Sequence, residues 1–242
     1  MLDDLIAAVD EDQPTRGFRQ ALERPGLSVI AEIKRRSPSK GPLNVELDPC
    51  VVAVDYQIGG AVALSVLTDA DHFGGSAVDL AAARASCDLP VLRKDFTVDA
   101  RDVVDARLMG ADAVLLIASV LSDAELSSFS ELAGAIGIAA LIEVHDEREL
   151  ERALAAGSTL VGVNQRDLVT FEVDTDRAVR VASEIPDEVV AVAESGVRGY
   201  GDAQRLAAAG YDAILVGESV VTATDRSQSV WALAGYPIGA RA

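Results

Sequence analysis

Apolar residues in this chain fall into eight short blocks, 27–34, 61–67, 89–94, 113–118, 138–143, 159–164, 189–194 and 212–217, each nearly continuous in Val, Ile, Leu and Ala. Parallel strands buried on both faces read this way. Between the blocks lie longer stretches with helical periodicity, at 49–58, 77–86, 100–109, 123–133, 147–155, 175–183 and 200–209. Several of them stop on a glycine (Gly59, Gly110, Gly157, Gly210) just ahead of the next strand, a common helix terminator. The junction recurs in Leu-Met-Gly-Ala-Asp-Ala-Val, Leu-Ala-Ala-Gly-Ser-Thr-Leu-Val and Ala-Ala-Ala-Gly-Tyr-Asp-Ala-Ile. Eight such units in a row predict the α/β class and a single closed (β/α)8 barrel of the TIM type. An open doubly wound sheet fits less well, because no Gly-x-Gly-x-x-Gly follows the first strand.

Residues 1–26 precede the first unit and carry two apolar stripes, Leu2, Leu5, Ile6 and Val9, then Phe18, Ala21 and Leu22. Pro14 and Pro25-Gly26 interrupt them, so this part is expected to be a short helical cap over one end of a barrel formed by 27–242, with no linker or second domain.

Polar residues interrupt the strand blocks almost only at their carboxyl ends: Glu32 and Lys34, Lys94, Glu143, Asn164 and Glu194. That is the working face of such barrels, and six groups converging there read as an active site. Glu32 and Lys34 are two positions apart, so both project from one face of the first strand. The donor-rich turn after them, Arg35-Arg36-Ser37-Pro38-Ser39-Lys40-Gly41, suits a multiply charged anion. The seventh block ends Ala-Glu-Ser-Gly and the eighth Leu-Val-Gly-Glu-Ser before a short helical turn. Backbone N–H groups around Ser195, Gly196, Gly217 and Glu218 are therefore predicted to cradle a phosphate, with the Glu218 charge turned away from it.

Half of the 242 residues are hydrophobic, enough for a large core. The formal charge of −18 and a pI near 4.4 argue against nucleic acid or an anionic membrane as a partner. The first residues are acidic where a signal peptide would be basic, which predicts a cytoplasmic protein. With 39 acidic residues against 21 basic, a salt-rich, halophilic cytoplasm is the expected setting. Lysine occurs only as Lys34, Lys40 and Lys94, all at strand ends or in loops. Cys50 and Cys87 have no neighbour at ligand spacing, so neither metal nor disulfide is expected. His145 reads as a loop residue after a strand, and His72 as a solvent-facing residue in the loop before Phe73.

The segments Ala-Glu-Ile-Lys-Arg-Arg-Ser-Pro-Ser-Lys-Gly (31–41), Leu-Arg-Lys-Asp-Phe (92–96), Leu-Ile-Glu-Val (141–144), Gly-Val-Asn-Gln-Arg-Asp-Leu (162–168) and Ala-Glu-Ser-Gly (193–196) together resemble the indole-3-glycerol phosphate synthase family. The resemblance spans 27–219 in order. It implies a carboxy-lyase of tryptophan biosynthesis that closes 1-(2-carboxyphenylamino)-1-deoxyribulose 5-phosphate to indole-3-glycerol phosphate, losing carbon dioxide and water. It implies Lys94 as principal acid, Lys34 on the substrate carboxylate and Glu143 as base. Glu32 would assist, Asn164 and Glu194 would order hydroxyls and the lysines, and Arg166 and Ser195 would line the same mouth. Ser37, Gly196, Gly217 and Glu218 would hold the phosphate, and Phe73, Phe96, Leu115 and Leu168 the aromatic ring. The chain lacks a tryptophan in its short opening segment, the only one being Trp231 in the last helix, so Phe18 or Leu5 is the candidate to close the ring pocket from that side. No cofactor is implied, and the expected partner is a small phosphorylated substrate bound by a monomer. A Schiff-base aldolase with Lys94 as nucleophile is the main alternative. A catalytically dead binding barrel is a weaker one, since the lysines and glutamates are all present.

Overall fold

The computed structural model describes residues 2–9, 14–167 and 169–241. Eight strands, β1 (Ser28–Ile33), β2 (Ala63–Leu67), β3 (Val91–Lys94), β4 (Ala113–Ile117), β5 (Ala139–Val144), β6 (Leu160–Asn164), β7 (Val190–Glu194) and β8 (Ala213–Val216), pair in parallel in chain order. The ring closes where Ser28 of β1 lies opposite Ala213 of β8. Among the described residues every strand block of the sequence became a barrel strand, shortened by one or two residues, except that β5 is shifted one residue onward.

Alternation along each strand divides the core in two. Val29, Ala31 and Ile33 of β1, Val161 and Val163 of β6, and Ala191 and Ala193 of β7 pack outward against the helices. Ile30, Leu92, Leu141, Leu160, Val192 and Leu215 point inward and fill the barrel's lower layers. Because side chains alternate with period two, the next inward positions are Glu32, Lys34, Lys94, Glu143, Asn164 and Glu194. The pattern that buries the lumen thus delivers the polar ring at its upper end.

The helices Pro49–Ile58, Ala77–Ser86 and Glu147–Ala155 match the predicted spans, and each starts at a side-chain cap, Asp48, Ser76 and Asp146. Gly110, Gly157 and Gly210 adopt φ of 90°, 78° and 93°, the left-handed stop expected of them. At the first junction the left-handed residue is Gly60, not Gly59. A Cβ on Gly59 would lie 2.6 Å from the Ser227 carbonyl, so its role is close approach to the helix Arg226–Trp231.

The opening segment covers the bottom of the barrel, away from the polar ring. Phe18 and Leu22 of the helix Phe18–Leu22 are fully buried among Val62, Ala63, Leu160 and Val190, residues at or beside strand starts. Leu5, in the helix Leu2–Ala7, packs on the outer layer against the helix Ala100–Leu108. A clamp holds this end: the Arg16 backbone N–H donates to Asp112 Oδ1 (2.8 Å), and Val91 N–H to Asp112 Oδ2 (2.8 Å).

Candidate active site

Lys94 sits at the centre of the polar ring. Its Nζ lies 2.8 Å from Glu143 Oε2 and 3.3 Å from Glu194 Oε2. Asn164 Nδ2 donates to the other oxygen of Glu143 (3.0 Å), and Asn164 Oδ1 accepts the Arg166 backbone N–H (3.0 Å). A second pair, Lys34 Nζ and Glu32 Oε1, stands 2.5 Å apart beside the first. Both glutamates of the central trio are almost wholly enclosed, and a charge on Glu143 is tolerable there because the ammonium lies beside it.

Glycine makes the room. A Cβ on Gly162 would meet Glu194 Oε1 at 2.1 Å, and one on Gly217 would meet Glu32 Oε1 at 2.2 Å. Gly217 was predicted only as a phosphate residue. It lines the cavity as expected, but its missing side chain is also what lets Glu32 stand upright.

Burial alone would lower the affinity of Lys94 for its proton, but the charges of Glu143, Glu194 and Glu32 outweigh it, and the group is held firmly as ammonium. Burial pushes Glu143 up, yet Lys94 and the Asn164 amide bring it below the ordinary carboxylate range. Glu194 is the opposite case: burial, with the neighbouring Glu143 charge, outweighs Lys94 and pushes it up to about 8. Two similar side chains are thereby driven apart, one a carboxylate base and the other a group that keeps its proton near neutrality.

The ring forms the floor of a cavity of about 1140 Å³. One end of it is polar. Ser37 Oγ is buried there without a hydrogen-bond partner. Ser195 and Gly196 both take left-handed backbone, φ 65° and 75°, an uncommon strain for serine that turns the chain at the rim. Gly217 begins the short helix Glu218–Val221, whose first N–H groups have no acceptor within the helix. Ser219 Oγ donates to the Val197 carbonyl at 3.1 Å, tying the two loops together. Lys40 Nζ lies 3.7 Å from Glu218 Oε1 at the same rim.

Phe73, Phe96 and Leu115 line the cavity together with Leu67, Ile117 and Phe171, giving it an apolar wall. Leu168 lies outside the described residues. Phe18 and Leu5 do not reach the cavity, because Phe18 plugs the opposite face of the barrel and Leu5 packs outside it. Arg35 also departs from expectation: it turns away from the anion end and binds Asp79 through two bonds of 2.5 and 3.0 Å, with the Gly74 and Leu47 carbonyls completing its shell. His72 is exposed as predicted, but on a one-turn helix, Ala70–Phe73, whose cap Asp69 also meets its Nδ1 at 3.1 Å.

Of the cavity residues that went unread in the sequence, Phe171 and Arg198 bear most on the site. Phe171, at φ 60°, gives its carbonyl to Arg166 Nη1 (3.0 Å) and presents its ring to the cavity. Arg198 also lines the cavity, four residues beyond Glu194. One of only five phenylalanines just past a strand-end asparagine was the available signal for the first. Among the described residues no group of three His, Cys, Asp or Glu side chains is placed to hold a metal ion.

The sequence model of the family described as indole-3-glycerol phosphate synthase matches residues 1–233. The chain belongs to this family. It is 51% identical to indole-3-glycerol phosphate synthase 2 of Streptomyces coelicolor over 222 residues, covering 92% of this chain and 86% of that one. A Nocardioides protein named indole-3-glycerol phosphate synthase is 48% identical over 234 residues, 97% of this chain and 90% of its own. Among solved structures, a 3-hexulose-6-phosphate synthase superposes with a TM-score of 0.67 at 16% identity, covering 86% of this chain and 98% of that chain. A likeness at that identity speaks for the barrel alone. Within the family frame, the strand-end residues singled out from sequence, Leu168 apart, all lie on one cavity.

Proposed function

We propose that this cavity carries out the family's ring closure, the conversion of 1-(2-carboxyphenylamino)-1-deoxyribulose 5-phosphate to indole-3-glycerol phosphate, with carbon dioxide and water released. The observation that carries the assignment of roles is the Lys94 ammonium, shared between Glu143 and Glu194 on the floor of a cavity that is polar at one end and apolar at the other. The phosphate lies against Ser37, Ser195, Gly196 and the start of the Glu218–Val221 helix, with Arg198 nearby. The anthranilate ring lies against Phe73, Phe96, Leu115 and Phe171, and its carboxylate faces Lys34.

Lys94 then faces the ketone oxygen. As the ring carbon forms its bond to the carbonyl carbon, charge grows on that oxygen, and Lys94 neutralises it with a proton. The carboxylate leaves as carbon dioxide, its bonding electrons restoring the aromatic ring. A second proton carries the hydroxyl away as water, while Glu143 removes one from the carbon beside nitrogen. Two protons in and one out leave a net uptake of one per turnover. Asn164 and Glu194 hold the hydroxyls and the ammonium in register.

A Schiff-base aldolase needs a lysine that loses its proton readily. Lys94, flanked by carboxylates and held as ammonium, is poorly suited to that role. Formation of the fluorescent indole product from the synthetic carboxyphenylamino substrate tests the activity directly. Retention of wild-type KM after Ser37→Ala would remove Ser37 from the phosphate end.

The same reading places the enzyme as a monomer in a salt-rich cytoplasm. Its support is the charge of −18 and the near-absence of lysine. Among the described residues no helix is long and apolar enough to cross a membrane. Sedimentation at micromolar concentration decides the oligomeric state.

A further inference from the structure

A buried acid–base pair that takes up one proton per turnover needs a proton donor at hand while substrate shuts its cavity from water. Behind Glu143, away from the cavity lining, stands His145, the first residue after β5. Its Nδ1 lies 3.0 Å from Glu149 Oε2, and its Nε2 lies 3.7 Å from Glu143 Oε1. Nε2 is buried and has no hydrogen-bond partner. Glu149 belongs to the helix Glu147–Ala155 and also accepts the His145 backbone N–H (2.8 Å), which is ordinary helix capping. Capping does not account for the ring, whose two nitrogens face two carboxylates. The Glu149 side chain is 17% exposed against 1% for Glu143, so the row runs from water inward.

We infer that His145 is a proton reservoir acting through Glu143, its imidazolium held by Glu149 and lending one proton to the Glu143–Lys94 pair while substrate fills the cavity. With Nδ1–H donated to Glu149, a neutral ring would turn a lone pair toward Glu143, so the imidazolium is the form the two carboxylates favour. After Lys94 has given its first proton to the ketone oxygen, the imidazolium passes its Nε2 proton to Glu143, and Glu143 passes it to the Lys94 amine, which delivers it to the departing hydroxyl. Glu143, a carboxylate again, then takes the proton from carbon and returns it to Lys94. The neutral ring, still carrying its Nδ1 proton, is recharged at Nε2 through Glu143 from cavity water once product has left, completing the uptake of one. The facing charges are Glu143 on its own strand, Glu149 on the following helix, and Arg177 on the helix Arg177–Ala182, the last opposing the proton. Burial works against the proton too, and the carboxylates outweigh both, raising the imidazole above its ordinary 6.5.

The reservoir role rests on the ring-closure reading, so one test is independent of activity. The described chemistry involves one of only two histidines, and His72→Gln leaves His145 as the single imidazole for nitrogen NMR. The expected spectra show Nδ1 protonated throughout and a midpoint above 6.5 that falls in both Glu149→Gln and Glu143→Gln. A midpoint at or below 6.5, or one that ignores Glu143→Gln, overturns the inference. In the kinetic arm, His145→Gln is expected to lower kcat about tenfold or more with KM within about twofold, enlarge the solvent deuterium effect, and respond to added imidazole. An unchanged kcat, pH profile and deuterium effect overturns it as well. Should that variant not fold, Glu149→Gln keeps the ring and is expected to shift the same pH profile. Absence of product from the wild-type enzyme would instead sink the ring-closure reading, and the NMR arm would still judge whether His145 bridges the two carboxylates.

Discussion

Glu194 is the costliest side chain in the site to ionise. In the folded protein it holds a proton up to about 8, against an ordinary 4.5. Between those values the native state binds more protons than the unfolded chain, so stability falls as pH rises through the window. Glu194→Gln cannot ionise, and the His145 contribution is common to both proteins. The stability of wild type minus variant, from urea unfolding, is therefore expected to decline from pH 4.5 to about 8. A flat difference would mean that the carboxyl is ionised throughout. Lys94 sets the complementary expectation. Lys94→Ala should lower turnover by about 10²–10⁴-fold while keeping the far-UV circular dichroism, because it removes the acid but no strand contact. A rate near wild type in a single-turnover fluorescence assay would take Lys94 out of the mechanism.

The strand ends carry both the chemistry and the space for it. Period-two alternation made Glu32, Lys34, Lys94, Glu143, Asn164 and Glu194 legible, since one parity packs outward on helices and the other continues up the lumen. Gly162 was not legible in the same way. It sits in an ordinary β6 pattern, and its role appears only when Glu194, on the adjacent strand, swings across it. Gly162→Ala places a methyl 2.1 Å from Glu194 Oε1, and the carboxylate must move off Lys94. A shift of about 1 Å in a catalytic group can cost about 10²-fold, so kcat should fall on that order with the barrel's circular dichroism kept. Wild-type kcat in Gly162→Ala would show that Glu194 need not stand where it does.

Across the whole molecule, charge outweighs any single pair. With 39 acidic residues and 21 basic, self-repulsion works against the compact state at low ionic strength. Screening shortens from about 10 Å at 0.1 M salt to about 3 Å at 1 M. Raising KCl over that range should stabilise the fold by about 1–2 kcal/mol, or about 2–8 °C in Tm by calorimetry. A Tm indifferent to KCl would remove the halophilic reading. The opening segment is also a matter of the whole chain. Its two apolar stripes announced a cap, but which mouth it covers depends on the path back from Pro25-Gly26 into β1. That path leads to the strand starts, so Phe18 closes the floor and Phe171 serves the cavity instead.

The eight strands, the helices between them and the polar positions at one end were written in local pattern, because burial on both faces and helical periodicity leave their mark within ten residues. The partners of those polar groups were not. Arg35 turning to Asp79, Glu194 leaning over Gly162, and His145 standing between Glu143 and Glu149 each depend on which element lies beside which. Those distances are fixed by closure of the barrel and the tilt of its strands. Hydrogen bonding and proton affinity fall off within a few ångströms, so they take shape only once the ring has closed.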